Sequence, residues 1–146
     1  MTMVLRACLV LMLAGLAFSS HARDDIGKYS ISDTLALEKA REVLGTEIQY
    51  FFGDQTFGSV TKQFGEFRSN KKTNAFGKSD EAACQWAFLS ALKSLKDRAV
   101  REGGNAVVNI RSNYKNNTTS SIETYDCGAG NVVAGVALIG DVVSIE

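Results

Sequence analysis

Residues 79–104 read SDEAACQWAFLSALKSLKDRAVREGG, and residues 105–114 continue NAVVNIRSNY. Ser79 suits a helix N-cap, and Asp80 and Glu81 put negative charge in the first turn, where the helix dipole favours it. Cys84, Ala87, Phe88, Ala91, Leu92, Leu95 and Ala99 recur at helical spacing and form an apolar stripe. Lys93, Lys96, Arg98 and Arg101 gather toward the other end, and Gly103-Gly104 stops the helix. The period then changes. Ala106, Val108 and Ile110 alternate inward with Asn105, Asn109 and Arg111 outward, and Val107 breaks the rule. A long one-sided helix that passes through two glycines into a strand must cover a sheet, which sets the fold class as α+β.

Working outward, Lys115 to Ser120 (KNNTTS) reads as a polar turn and Ile122 to Cys127 as the return strand of a hairpin. Gly128 to Asn131 turns again. Val132 to Ile139 is apolar on both alternations, as expected of a central strand covered on both faces or against a partner. Upstream, Arg23 to Ser30 is polar and reads as an extended arm, and Ser32 or Asp33 caps a helix over Thr34 to Leu44 that Gly45 ends. Glu47 to Phe52 reads as a strand with Ile48, Tyr50 and Phe52 on one face. Phe57 to Asn70 reads as a second extended segment interrupted by Gly58 and Gly65. The expected order is α-β-β-α-β-β-β, with two helices packed on a largely antiparallel sheet in a single domain over residues 23–146.

The N-terminus has a different character. Arg6 precedes a continuous apolar run from Ala7 to Phe18, and small Ser20 and Ala22 flank His21. That is the layout of a secretory signal peptide over residues 1–22, with cleavage before Arg23. The run is shorter than the about 20 residues that a membrane span needs. Cys8 stands at the start of the run, where a lipid-attachment cysteine does not belong. The expected location is therefore periplasmic or secreted.

The 146 residues hold 16 basic and 16 acidic side chains, 45% hydrophobic residues and no proline. This is globular composition, and its charge balance does not suit a protein that coats nucleic acid by bulk electrostatics. Removing the leader takes away the single histidine, His21, and one of the 3 cysteines. A chain without histidine cannot run a Ser-His-Asp or Cys-His relay, nor build the usual histidine-containing zinc sites. No catalytic residue, metal or cofactor is expected. Cys84 and Cys127 remain. In an exported chain such a pair is most simply a disulfide, and a loop of about 43 residues gives roughly 4 kcal/mol in the chain-entropy model. A reactive thiol or a soft-metal pair are the alternatives.

Gly77-Lys78-Ser79 matches the second half of a phosphate-binding Walker A loop, but Lys72 stands where the first glycine should be. A plain helix entry explains it better. Lys62, Arg68, Lys71, Lys72 and Lys78 crowd one stretch, opposed by Glu66 and interleaved with Phe64, Phe67 and Phe76. They are the candidate anion-binding residues, with an anionic envelope component a better partner than nucleic acid. Asp126 with Asp141 could hold a metal if the fold brought them together.

Phe51-Phe52-Gly53-Asp54, the run from Asn70 to Asp80, Cys84-Gln85-Trp86-Ala87-Phe88 and the run from Asn105 to Ile110 resemble small exported proteobacterial proteins. Those carry the family label of an excinuclease ATPase subunit, the ATPase of excinuclease ABC. The chain departs from such an ATPase in lacking a complete Walker A, zinc-finger cysteines and an ABC signature. The junction Gly103-Gly104-Asn105-Ala106-Val107-Val108 is similar, more distantly, to that of YbjQ-type domains, labelled heavy-metal-binding, and of RcsF-like envelope sensor domains. The similarity implies an α+β domain and a periplasmic disulfide. The expected function is a non-catalytic binding or interaction module, with an envelope protein or an anionic envelope component as partner. A nucleotide-linked role and a metal or redox role through Cys84 and Cys127 are the alternatives.

Overall fold

The computed structural model describes residues 22–146, so the expected leader lies outside the described residues apart from Ala22. The chain runs β1 (Asp25–Ser30), α1 (Ile31–Ala36), α2 (Glu38–Leu44), β2 (Gln49–Phe52), β3 (Val60–Asn74), α3 (Asp80–Glu102), β4 (Ala106–Tyr114), β5 (Asn117–Thr119), β6 (Thr124–Ala129) and β7 (Val133–Ile145). The α+β class holds in one domain, but the element order differs from the expected one. The polar arm is β1, because its backbone pairs antiparallel with β6 from Asp25↔Ala129 to Ser30↔Thr124. The first helix is split: Leu37 adopts extended backbone (φ −65°, ψ 142°) between α1 and α2, and Ser30 rather than Ser32 or Asp33 caps α1.

The seven strands form one curled sheet in the order β1-β6-β7-β4-β2, with β3 on the other edge of β7 and β5 beside β4. The 13-residue β7 is its spine. β3 follows β7 over its whole length, while β4 and β6 share the opposite edge in succession. The expected hairpin return over Ile122 to Cys127 is corrected. β5 is the strand that turns back on β4, and β6 leaves to pair with β1 and β7. The sheet is antiparallel apart from β2 beside β4.

α3 lies on one face, capped by Ser79 Oγ accepting from Ala82 N–H at 3.1 Å and ended by left-handed Gly103 (φ 84°). Its stripe packs on Val107, Ile110, Ala134, Val136, Leu138 and Val142. Val107 and Ile110 share this face although three residues apart, because Asn109 adopts positive φ (52°) and the β4–β7 register slips between Val108 and Arg111. That bulge is why Val107 broke the alternation. Ala106 and Val108 therefore face the other way, into a smaller cluster with Val143 and Ile145. Gly140 lies under the helix. A Cβ there would sit 2.5 Å from Cγ1 of Val107 on β4 and 3.4 Å from Cδ1 of Leu95 on α3, so the packing of the Val107 side chain over β7 needs glycine.

An aromatic column crosses the core. Phe88 stacks on Tyr125 with ring centroids 4.0 Å apart, and Tyr29 and Phe52 extend the stack to β1 and β2. Beside it Cys84, fully buried in α3, is bonded to Cys127, fully buried in β6, with Cα atoms 5.9 Å apart.

Candidate functional site

β3 carries four of the five candidate cations, and its pleat divides them. Pairing with β7 puts Arg68 opposite Ile139 and Lys72 opposite Gly135, on the face away from α3. Lys71, opposite Val136, points to the helix side. Lys62 stands near the start of the strand, about 33 Å from Lys72 at the strand rise, with its ammonium over the Phe64 ring at 4.9 Å. Lys78 is in the loop after β3, where its Nζ donates to the Asn74 carbonyl at 3.0 Å. The five residues are therefore not one patch. Arg68 and Lys72 share a face, and the other three do not join them.

What Arg68 does join was not legible as a site. Across β7, whose Ala137 is too small to fill the gap, stand Asn113 of β4 and the turn Lys115-Asn116. With Arg68, Asn70 and Ala137 they line an open pocket of about 260 Å³. The turn exists because Lys115 (φ 51°) and Asn116 (φ 63°) both take left-handed backbone, as a two-residue hairpin requires. Asparagine adopts that conformation readily and lysine does not. KNNTTS is readable as a turn from its composition, but the positive φ that aims these residues over the sheet carries no separate signal.

Lys115 is already compensated. Its ammonium pairs with Asp24, whose carboxylate also accepts from Tyr114 Oη at 2.9 Å. The Lys115 bond, then the Tyr114 bond, holds the Asp24 carboxyl below its ordinary value. Burial, followed by that same carboxylate, pushes the Tyr114 phenol up to about 12. Arg68 has looser company: Glu66 is 3.9 Å away, and the same carboxylate accepts from Arg111 at 2.6 Å. The face thus presents a weakly paired guanidinium beside amide side chains, which suits hydrogen bonding to a carboxylate or phosphate.

A second group lies further along the same face. Arg111 bonds Glu66 and, at 2.8 Å, the Asn109 carbonyl, while Asn109 Nδ2 donates to Asp141 at 2.8 Å. These charges satisfy one another and latch the β4 bulge to β3 and β7. Asp126 instead accepts from Lys28 at 2.9 Å and from no residue shared with Asp141. The two aspartates are held separately. Among the described residues no group of three or more His, Cys, Asp or Glu side chains could hold a metal, and no helix is long and apolar enough to cross a membrane.

The half Walker loop forms a compact turn. Asn74 Oδ1 accepts from Phe76 N–H at 2.9 Å, the Lys78 ammonium is spent on the Asn74 carbonyl, and Ser79 caps α3. The described chain holds no imidazole, and both of its sulfhydryl side chains are joined in the disulfide. Comparison with protein-family models, curated proteins and solved structures gives no match.

Proposed function

We propose that this chain is an exported, non-catalytic binding module for an anionic envelope component. One observation carries the reading: Arg68, weakly paired, stands with Asn70 across Ala137 from Asn113 and Asn116 around an open pocket. Export is supported by the leader pattern of residues 1–22 and by a fully buried disulfide of the kind that persists in oxidising compartments. The burial of both sulfurs favours a structural bond over a redox or metal role, which needs access. The engagement of Lys78 with Asn74 weighs against a nucleotide-linked role, since a phosphate-binding lysine must be free to reach its ligand.

The test is a titration of the disulfide-bonded protein with polygalacturonate, a carboxylated glycan, and with neutral dextran. Binding of the first alone is expected. That binding should weaken steeply with salt and by about tenfold in Arg68→Ala, the loss of one charge-assisted contact. Equal binding of dextran, or an unchanged affinity in Arg68→Ala, would overturn it.

A further inference from the structure

β3 is 15 residues long, about 50 Å at the strand rise, and β7 occupies one of its edges. Among the described residues no strand pairs with the other edge. An unpaired edge offers alternate N–H and C=O groups to any extended chain, and proteins that keep such an edge single guard it with lysines and irregularities. β3 carries those guards. Lys62, Arg68, Lys71 and Lys72 line it, and Gly65 (φ 121°) sits where its register with β7 slips. The slips lie between Val60 and Gly65, whereas pairing from Gly65 to Asn74 is regular. The regular half is an uninterrupted template, and Arg68, Lys71 and Lys72 lie there.

We propose that the free edge of β3 over Arg68–Asn74 takes up an extended, acidic segment of a partner protein as an added strand. A second copy of β3 is a poor occupant. Its only acid, Glu66, is already bonded to Arg111, so edge-to-edge pairing would set basic strands against each other. Charge complementarity selects the opposite sign. An incoming strand with carboxylates at alternate positions would place them beside Arg68, Asn70 and Lys72 on the open face. Its intervening residues would lie beside Ser69 and Lys71 on the helix side. Ser69 Oγ is buried on that side without a hydrogen-bond partner. The inference rests on the binding-module reading but concerns a backbone edge rather than the pocket on the open face.

The probe is a seven-residue peptide alternating glutamate and threonine, added to the disulfide-bonded protein. Binding with slowed hydrogen exchange of alternate β3 amides between Arg68 and Asn74 supports the proposal. Arg68→Glu with Lys72→Glu should weaken the peptide by about tenfold or more, and a lysine-threonine peptide should then bind the variant in its place. The same two peptides on the unaltered protein give the charge preference without any variant. Equal binding of a glutamate peptide interrupted by proline would overturn the added strand. So would protection that spares β3, or self-association of the protein through that edge. Binding of polygalacturonate without any peptide binding would defeat this inference alone; failure of both ligands would defeat the binding-module reading as well.

Discussion

Asn105 and Ile145 exchange two hydrogen bonds. Asn105 Nδ2 donates to the Ile145 carbonyl at 2.8 Å, and Asn105 Oδ1 accepts from the Ile145 N–H at 2.9 Å. The Asn105 N–H also donates to Val143 at 3.1 Å. A side chain thus supplies the last rung of the β4–β7 ladder, at the point where α3 turns into the sheet. Asn105→Ala removes both side-chain bonds and leaves half-buried backbone groups unpaired, so it should destabilise by about 2 kcal/mol. Chemical denaturation checks this. A change within about 0.5 kcal/mol, ordinary for a surface position, would show the clamp to be idle.

The Cys84–Cys127 bond joins the first turns of α3 to β6, beside the stacked Phe88 and Tyr125. Replacing both cysteines by alanine should cost roughly 2–5 kcal/mol, a large part of the stability of a small domain. Thiol counting and thermal melts with and without reductant measure it. Two free thiols in the purified protein, with an unchanged melt in reductant, would contradict a structural disulfide.

Ser79 and Lys78 are adjacent but perform different tasks. Ser79→Ala should cost about 1 kcal/mol through loss of the cap on α3. Lys78→Ala gives up one bond to the Asn74 carbonyl in an exposed turn and should leave the fold intact. Neither the parent nor the variant should bind ATP in equilibrium dialysis. Micromolar ATP binding abolished by Lys78→Ala would restore the nucleotide-linked role.

The 4 tyrosines should resist ionisation together. Burial raises Tyr125 and Tyr114 to about 12, and it raises Tyr50 and Tyr29 as well. The unfolded chain ionises at an ordinary value of about 10. A folded phenol raised above that value stabilises fully below pH ~10, and its contribution is lost as pH climbs toward the folded value. Phenolate absorbance should therefore lag the ordinary curve and rise together with loss of the folded near-ultraviolet signal. Smooth titration near the ordinary value in a chain that stays folded would contradict the packing of these rings.

Legibility followed the locality of the physics. α3 was readable from Ser79, its apolar stripe and Gly103-Gly104, because caps and periodicity act within a few residues. β4 was readable as a strand that buries Ala106, Val108 and Ile110, but not as one that buries them on two faces, since the Asn109 bulge puts Ile110 with Val107 on the helix side and leaves Ala106 and Val108 on the other. β1 looked like a polar arm because its order comes from pairing with β6, far away in sequence. The candidate cations are neighbours along the chain, whereas a strand sends neighbours to opposite faces. Arg68 and Lys72 stayed together, and Lys71 parted from them. Asn113, Lys115 and Asn116 reach Arg68 across β7, a meeting set by topology that no local pattern could announce.

The open face of the sheet, in the proposed function, receives an anionic ligand. Amide chemical-shift mapping of the disulfide-bonded protein with polygalacturonate tests this most directly. The largest changes are expected at Arg68, Asn70, Asn113 and Asn116, with little at Lys62 or Lys78. Changes centred on Gly77-Lys78-Ser79, or none at any residue at saturating glycan, would contradict it.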